Sequence, residues 1–188
     1  MRRFVASIVA ASIILTGGFV SASNVDARDR SGLQVTVYNY RDLSQHQWER
    51  TSPWRGRGPT TRPCINTTFA NIFDFWGEGS LGRRCNIDDF LVRYQGYITV
   101  PSTADYTFYT VTDDGFRLEI GSSVVINDWQ VQSITTWNAT SESITLIGGE
   151  RYNLDAWLFE NGGGAGAMLY YSVGAYPQEV PPSWFSHR

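Results

Sequence analysis

Lysine is missing from this sequence altogether, so its basic count of 15 consists of arginine alone. Without lysine there is no Schiff-base nitrogen and no ammonium to cradle a phosphate. Histidine is nearly as scarce. Of the two present, His187 stands beside the C-terminus, which leaves His46 alone to support any histidine-based triad or zinc site. Both chemistries are set aside on that ground. A membrane-length apolar run is also lacking. The one apolar stretch, residues 4–14, falls short of the roughly 20 residues a span needs, and Gly17-Gly18 follow it.

That stretch has another use. Arg2 and Arg3 precede it and small residues follow, the pattern of a secretory signal peptide. Residues 1–22 are read as the leader, with cleavage after Ala22; a second small-residue site allows a cut after Ala27 instead. About 165 residues then remain, enough for one domain with a single substantial core, and the mature chain carries no further membrane span. The expected location is secreted, extracellular or periplasmic. Loss of Arg2 and Arg3 leaves 13 arginines against 18 acids, a net charge of −5. Nucleic acid is therefore an unsuitable partner. Cys64 and Cys85 would travel an oxidising route with no other cysteine to pair with. A disulfide between them is expected, and closing a loop of that size contributes on the order of 3 kcal/mol. The rival, a free thiol nucleophile, needs an activating base that this composition hardly offers.

The mature part alternates apolar and polar residues over short runs, a pattern of strands, and no amphipathic helix stands out. In Phe116-Arg117-Leu118-Glu119-Ile120 every second side chain is apolar, so one face packs inward while Arg117 and Glu119 face solvent. Tyr152, Leu154, Ala156 and Leu158 repeat the period, as do Ile144 and Leu146. Further strands are expected at 33–40, 90–100, 105–112, 123–126 and 166–173. Turn residues punctuate them at Pro101-Ser102-Thr103-Ala104, Asp113-Asp114-Gly115, Gly148-Gly149 and Asn161-Gly162-Gly163-Gly164. The expected fold is all-β, a single-domain antiparallel β-sandwich or jelly-roll-like barrel. Residues 44–82, rich in Arg, Pro, Gly and Trp with weak periodicity, read as long loops.

Taken alone, Asp113-Asp114-Gly115 reads as a hairpin turn, because Asp-Gly between two strands is among the commonest hairpin signals. Its surroundings add information. The run from Phe90 to Pro101, then Tyr106-Thr107-Phe108-Tyr109, then Thr112-Asp113-Asp114-Gly115-Phe116-Arg117-Leu118 resembles the protective-antigen-type domain. That family is the fourteen-kilodalton β-sandwich of anthrax protective antigen, yeast flocculins and adhesins, and inserts in many glycosidases. Phe75-Trp76-Gly77, Asn127-Asp128-Trp129, Gly149-Glu150-Arg151-Tyr152 and Phe159-Glu160-Asn161-Gly162-Gly163-Gly164-Ala165 extend the similarity over residues 31–186.

The resemblance implies a site. In the sugar-binding members the paired aspartates are joined by a cis peptide and chelate calcium, a role that falls here on Asp113 and Asp114. In an extended trans chain neighbouring side chains point to opposite faces, whereas a cis bond brings the two carboxylates together. Calcium takes six to eight oxygens, so a second loop must contribute. The family places an asparagine side chain and two backbone carbonyls there, which fall on Asn161, Gly163 and Ala165. Open positions on the ion would accept vicinal sugar hydroxyls, with Trp129 and Trp157 as candidate flat faces for a sugar ring. Glu160 either joins the ligand shell or caps the loop, and the cap is the reading adopted. This chain departs from the lectins in a second loop made of glycine and alanine, with no large side chain to select a sugar. The expected function is a non-enzymatic, calcium-dependent, lectin or adhesin-like module for a cell-surface glycan or polysaccharide. The alternative is a structural or protein-interaction domain on the same fold. A glycosidase, with two carboxylates straddling a scissile bond, is disfavoured because the family acts as an accessory to catalytic domains.

Overall fold

The computed structural model describes residues 28–39, 59 and 62–188. The expected leader and His46 lie outside them. Fourteen strands account for nearly all the regular structure of the described residues, and one short 3-10 turn, Pro182–Trp184, precedes the last. No helix among them is long and apolar enough to cross a membrane.

The chain folds into two antiparallel sheets. The larger is centred on β5 (Phe90–Thr99) and β11 (Arg151–Glu160), which pair along their whole length from Arg151↔Thr99 to Glu160↔Phe90. Beyond β11 lie β7 (Phe116–Ile120) and β8 (Ser123–Asp128). The other edge of β5 is shared by β2 (Leu33–Asn39) and β14 (Phe185–His187), with β3 (Ile65–Phe69) outside β2 and β1 (Arg30–Ser31) outside β14. The smaller sheet is built on β6 (Ala104–Asp113) and β12 (Ala165–Ser172). Here β9 (Ala139–Thr140) and β10 (Ile144–Leu146) flank β6, while β4 (Phe73–Gly77) and β13 (Gln178–Glu179) flank β12.

Alternation explains how the sheets meet. Leu154, Ala156 and Leu158 of β11, Phe116, Leu118 and Ile120 of β7, and Tyr106 and Phe108 of β6 all turn into one buried core. On the outer side of the larger sheet Leu91, Trp157 and Phe159 form a second, smaller cluster, with Tyr38 and Trp129 packed against it. Arg117 also lies on that outer side but is buried, not solvent-facing, and pairs with Glu119. Its aliphatic stem fits a covered position because the guanidinium keeps polar partners.

The reading of 44–82 as loops is corrected within its described part, where β3 and β4 are strands. In β3 the side chains of Asn66, Thr67 and Thr68 are exposed, because β3 pairs only with β2 and has one neighbour to pack on. An edge strand of this kind has little apolar alternation to betray it. The disulfide joins Cys64, just before β3, to Cys85, with Cα atoms 5.3 Å apart.

Candidate metal centre

Asp113 ends β6 in the smaller sheet, and Phe116 opens β7 in the larger one. The Asp113-Asp114-Gly115 segment is therefore a crossing between sheets and not the hairpin that an isolated Asp-Gly suggests. A second crossing runs beside it: β11 leaves the larger sheet at Glu160, and residues 161–164 carry the chain to β12 in the smaller one. The crossings touch because β6 pairs with β12 and β7 with β11.

The Asp113–Asp114 peptide is cis. Asp114 is almost wholly buried and held from both sides, its Oδ1 accepting from the Gln132 N–H at 2.8 Å and its Oδ2 from the Asn161 N–H at 2.7 Å. The Asp114 N–H in turn donates to the Phe159 carbonyl at 3.2 Å, and the Phe159 N–H to the Gly115 carbonyl at 3.0 Å. Gly115 has no room for a side chain, since a Cβ there would lie 2.1 Å from the Phe159 ring and 2.8 Å from the Gln130 nitrogen. Gln132 adds a third tie through Nε2, which donates to the Asp114 carbonyl at 3.2 Å and to Asp128 Oδ2 at 2.8 Å.

Glu160 continues the inward parity of Leu154, Ala156 and Leu158, and its side chain ends at the crossing with no exposure. Asp113, Asp114 and Glu160 each bring a carboxylate oxygen within 4.8 Å of the others. Neither Glu160 oxygen has a hydrogen-bond partner. The Gly162 N–H of the glycine loop pulls the Glu160 pKa down, but it stands outside full hydrogen-bond geometry. Burial, then the charges of Asp114 and Asp113, push Glu160 up to about 8. Burial likewise raises Asp114 to about 6, against the downward pull of the Asn161 and Gln132 N–H groups. Asp113 is also raised by burial, opposed by the Ile134 N–H.

A buried carboxylate with two unpartnered oxygens, beside two more of the same sign, is costly by itself. An all-oxygen, highly anionic donor set of this kind fits a hard divalent cation such as calcium. Asn161 stands beside Asp114 through its backbone, and Gly164 lies 3.6 Å from Asp113 Oδ2, measured from where its Cβ would be. Gly162 and Gly163 have open space above them. The Gly163 N–H donates to Asp88 Oδ1 at 3.1 Å, so a third segment steadies the glycine loop. Ala165 opens β12 with its methyl group in the core.

The two tryptophans differ in how far they are covered. Trp157 does point away from the core as its parity predicts, yet it is 5% exposed, stacked on Tyr38 and covered by the Arg93 guanidinium at 4.8 Å. It offers no open ring face, because outer positions here are roofed by their neighbours. Trp129 is half-buried and packs edge-on against Phe159 at 4.8 Å. Sequence reasoning missed Asp88, Gln132 and Ile134. Nothing local marks them, but the parity of β11 already placed Glu160 on the core side.

These features define a class, a two-sheet β-sandwich with a carboxylate centre where two strands cross between sheets. The chain belongs to the PA14 domain family, whose match covers residues 29–183. It is 34% identical over 153 residues to anti-sigma-I factor RsgI3 of Acetivibrio thermocellus, covering 81% of this chain and 21% of that protein. An anti-sigma factor domain-containing protein of known structure superposes with a TM-score of 0.67 at 27% identity, covering 83% of this chain and 48% of the other. This chain thus spans about a fifth of one anti-sigma relative and about half of the other. The epithelial adhesin 6 A domain from Candida glabrata, solved with Galβ1-3GlcNAc, shares the fold at a TM-score of 0.61 and 14% identity, over 89% of this chain and 91% of that one.

Proposed function

We propose that this chain is an exported, calcium-dependent carbohydrate-binding module without catalytic activity. The observation that carries the reading is the convergence of Asp113, Asp114 and Glu160 at the double crossing, with both Glu160 oxygens unpartnered. Those carboxylates would hold the ion together with the Asn161 side chain and the carbonyls of Gly163 and Ala165. Calcium, when bound, supplies open coordination positions to neighbouring sugar hydroxyls. The open space over Gly162 and Gly163 leaves room for a ring. The glycan-bound adhesin with the same fold supports a sugar as ligand. The leader-like N-terminus and the disulfide support export.

A single shallow site of this kind binds at about millimolar strength, about −4 kcal/mol, so tight attachment would come from several copies or sites. Isothermal calorimetry with calcium, followed by a glycan array carrying Galβ1-3GlcNAc with and without chelator, tests the proposal. The expected result is calcium heat, glycan binding abolished by chelator, and loss of both in Asp114→Asn. Absent calcium heat, or glycan binding indifferent to chelator, would sink it. The anti-sigma relatives favour a second reading, an interaction domain that uses the centre only to steady the crossing. That reading predicts calcium heat or none, and no glycan signal.

A further inference from the structure

The outer face of the smaller sheet carries an aromatic cluster that the calcium centre does not use. Cross-strand register builds it in rows. Phe75, Gly166 and Asp113 share the first row, Phe73, Met168 and Val111 the second, and Tyr170 and Tyr109 the third. Parity turns these side chains away from the core, since Tyr106 and Phe108 of β6 and Ala165, Ala167 and Leu169 of β12 face it. Trp137, from the loop after β8, completes the cluster. Its ring meets Tyr170 edge-on at 5.1 Å and Tyr109 at 5.3 Å, and Phe73 meets Tyr170 edge-on at 5.5 Å. The rings therefore fix one another in orientation. Phe75 is 63% exposed, Trp137 39%, Phe73 37% and Ile134 36%, so four apolar side chains stand open to solvent on one face.

The cluster begins at the metal centre. Gly166 separates Phe75 from Asp113 in the first row, and the Phe75 ring closes over it, its Cδ2 lying 2.9 Å from where a Gly166 Cβ would stand. Ile134 reaches the same spot, its Cδ1 3.5 Å away, while its backbone N–H holds Asp113. Any side chain at position 166 would stand between the aromatic face and the carboxylates. With glycine there the two form one continuous surface. It spans two strand spacings, about 10 Å, by four residues along β6, about 13 Å.

We infer that this face is the extension of the calcium centre that receives the further sugar units of a polysaccharide chain, so that the ligand is a polymer and not an isolated terminal sugar. The inference rests on the sugar-binding reading above. The footprint is far below the roughly 800 Å² per partner of a stable protein interface, which argues against a second copy of the chain. It does suit a few sugar rings, whose apolar C–H faces lie flat on aromatic rings while their hydroxyls reach polar groups at the edge. Such groups are present: the Thr107 and Ser143 hydroxyls lie 3.2 Å apart at the far margin, and the half-buried Tyr109 hydroxyl lies beside them, anchored on buried Ser172 at 3.1 Å.

The test uses calcium-loaded protein and arrayed series of one to six units of β-1,4-linked galactose, glucose, xylose and mannose. Affinity is expected to rise at least tenfold from one unit to four or more in the preferred series. Phe75→Ala and Trp137→Ala should each erase most of that gain while leaving single-unit binding and calcium heat unchanged. Phe75 is exposed, so its variant keeps the fold, and Trp137→Phe should retain the gain. Calcium-dependent single-unit binding with no gain along the series, or a gain that survives Phe75→Ala, overturns the inference and leaves the calcium-sugar reading standing. Absence of all sugar binding in the presence of calcium overturns both. A dimer by sedimentation that Phe75→Ala dissociates would reassign the face to contact between copies.

Discussion

Glu160 concentrates the electrostatics of the centre in one side chain. It has no exposure, no hydrogen-bond partner, and two aspartates of the same sign within reach. Folding raises the pKa of Glu160 from 4.5 to about 8 and of Asp114 from 3.8 to about 6. A group whose folded pKa is raised stabilises the fold below its unfolded pKa and loses that contribution as pH rises through the folded value. The calcium-free protein should therefore lose stability steadily between about pH 4 and 8, which urea denaturation in chelator at several pH values would measure. Asp74, inward on β4 and raised by burial to about 6, adds to the lower part of that slope only. Its Asp74→Asn variant should flatten the slope up to about pH 6 and leave calcium binding unchanged. Glu160→Gln keeps the shape and, at pH 8 and above, removes the buried charge. Calcium-free melting should rise by about 2–4 °C, the shift for roughly 1 kcal/mol in a chain of this size. Calcium affinity should fall about tenfold, or 1.4 kcal/mol. A variant that melts lower without calcium would show that Glu160 is held by the fold and not strained by it.

The crossing that carries Asp113 and Asp114 depends on backbone proximity as much as on carboxylates. Gly115→Ala would drive a methyl group into the Phe159 ring. A loss of about 3 kcal/mol is expected from such overpacking, read as a lower urea midpoint with unchanged slope. None of this was legible locally: Asp-Asp-Gly reads as a hairpin, and only the partners of β6 and β7 show that the strands belong to different sheets. Long strands were legible because their two faces differ. β5, β6, β7 and β11 each bury most of one face, so their alternation marks them to within a residue or two. β3 and β4 were not, because edge strands with exposed side chains have no such contrast. The centre was half legible. Family motifs pointed to the paired aspartates and to the loop whose Asn161 N–H reaches Asp114, and parity alone could have turned Glu160 inward. Asp88 and Gln132 reach the loops from segments distant in sequence, where no pattern links them.

At the scale of the whole molecule the centre sits where each sheet hands a strand to the other, so an ion there would tie the two layers together at one end of the core. Its carboxylates come from the end of β6 in the smaller sheet, from the crossing, and from the end of β11 in the larger sheet. Separating the layers must then release the ion, which couples binding to global unfolding and not to a local loop. Linkage sets the size of the effect. Free calcium at a hundred times its dissociation constant adds about 2.7 kcal/mol, provided the unfolded chain does not bind. For a domain of this size that is a rise in Tm of about 5–10 °C. Calorimetric scans with calcium and with chelator should differ by that amount at pH 8, and by much less at pH 5, where Glu160 and Asp114 hold protons that compete with the ion. Asp114→Asn should abolish the difference at both pH values. A calcium effect confined to protease protection of residues 161–164, with Tm unmoved, would mean that the ion orders the glycine loop without bridging the sheets.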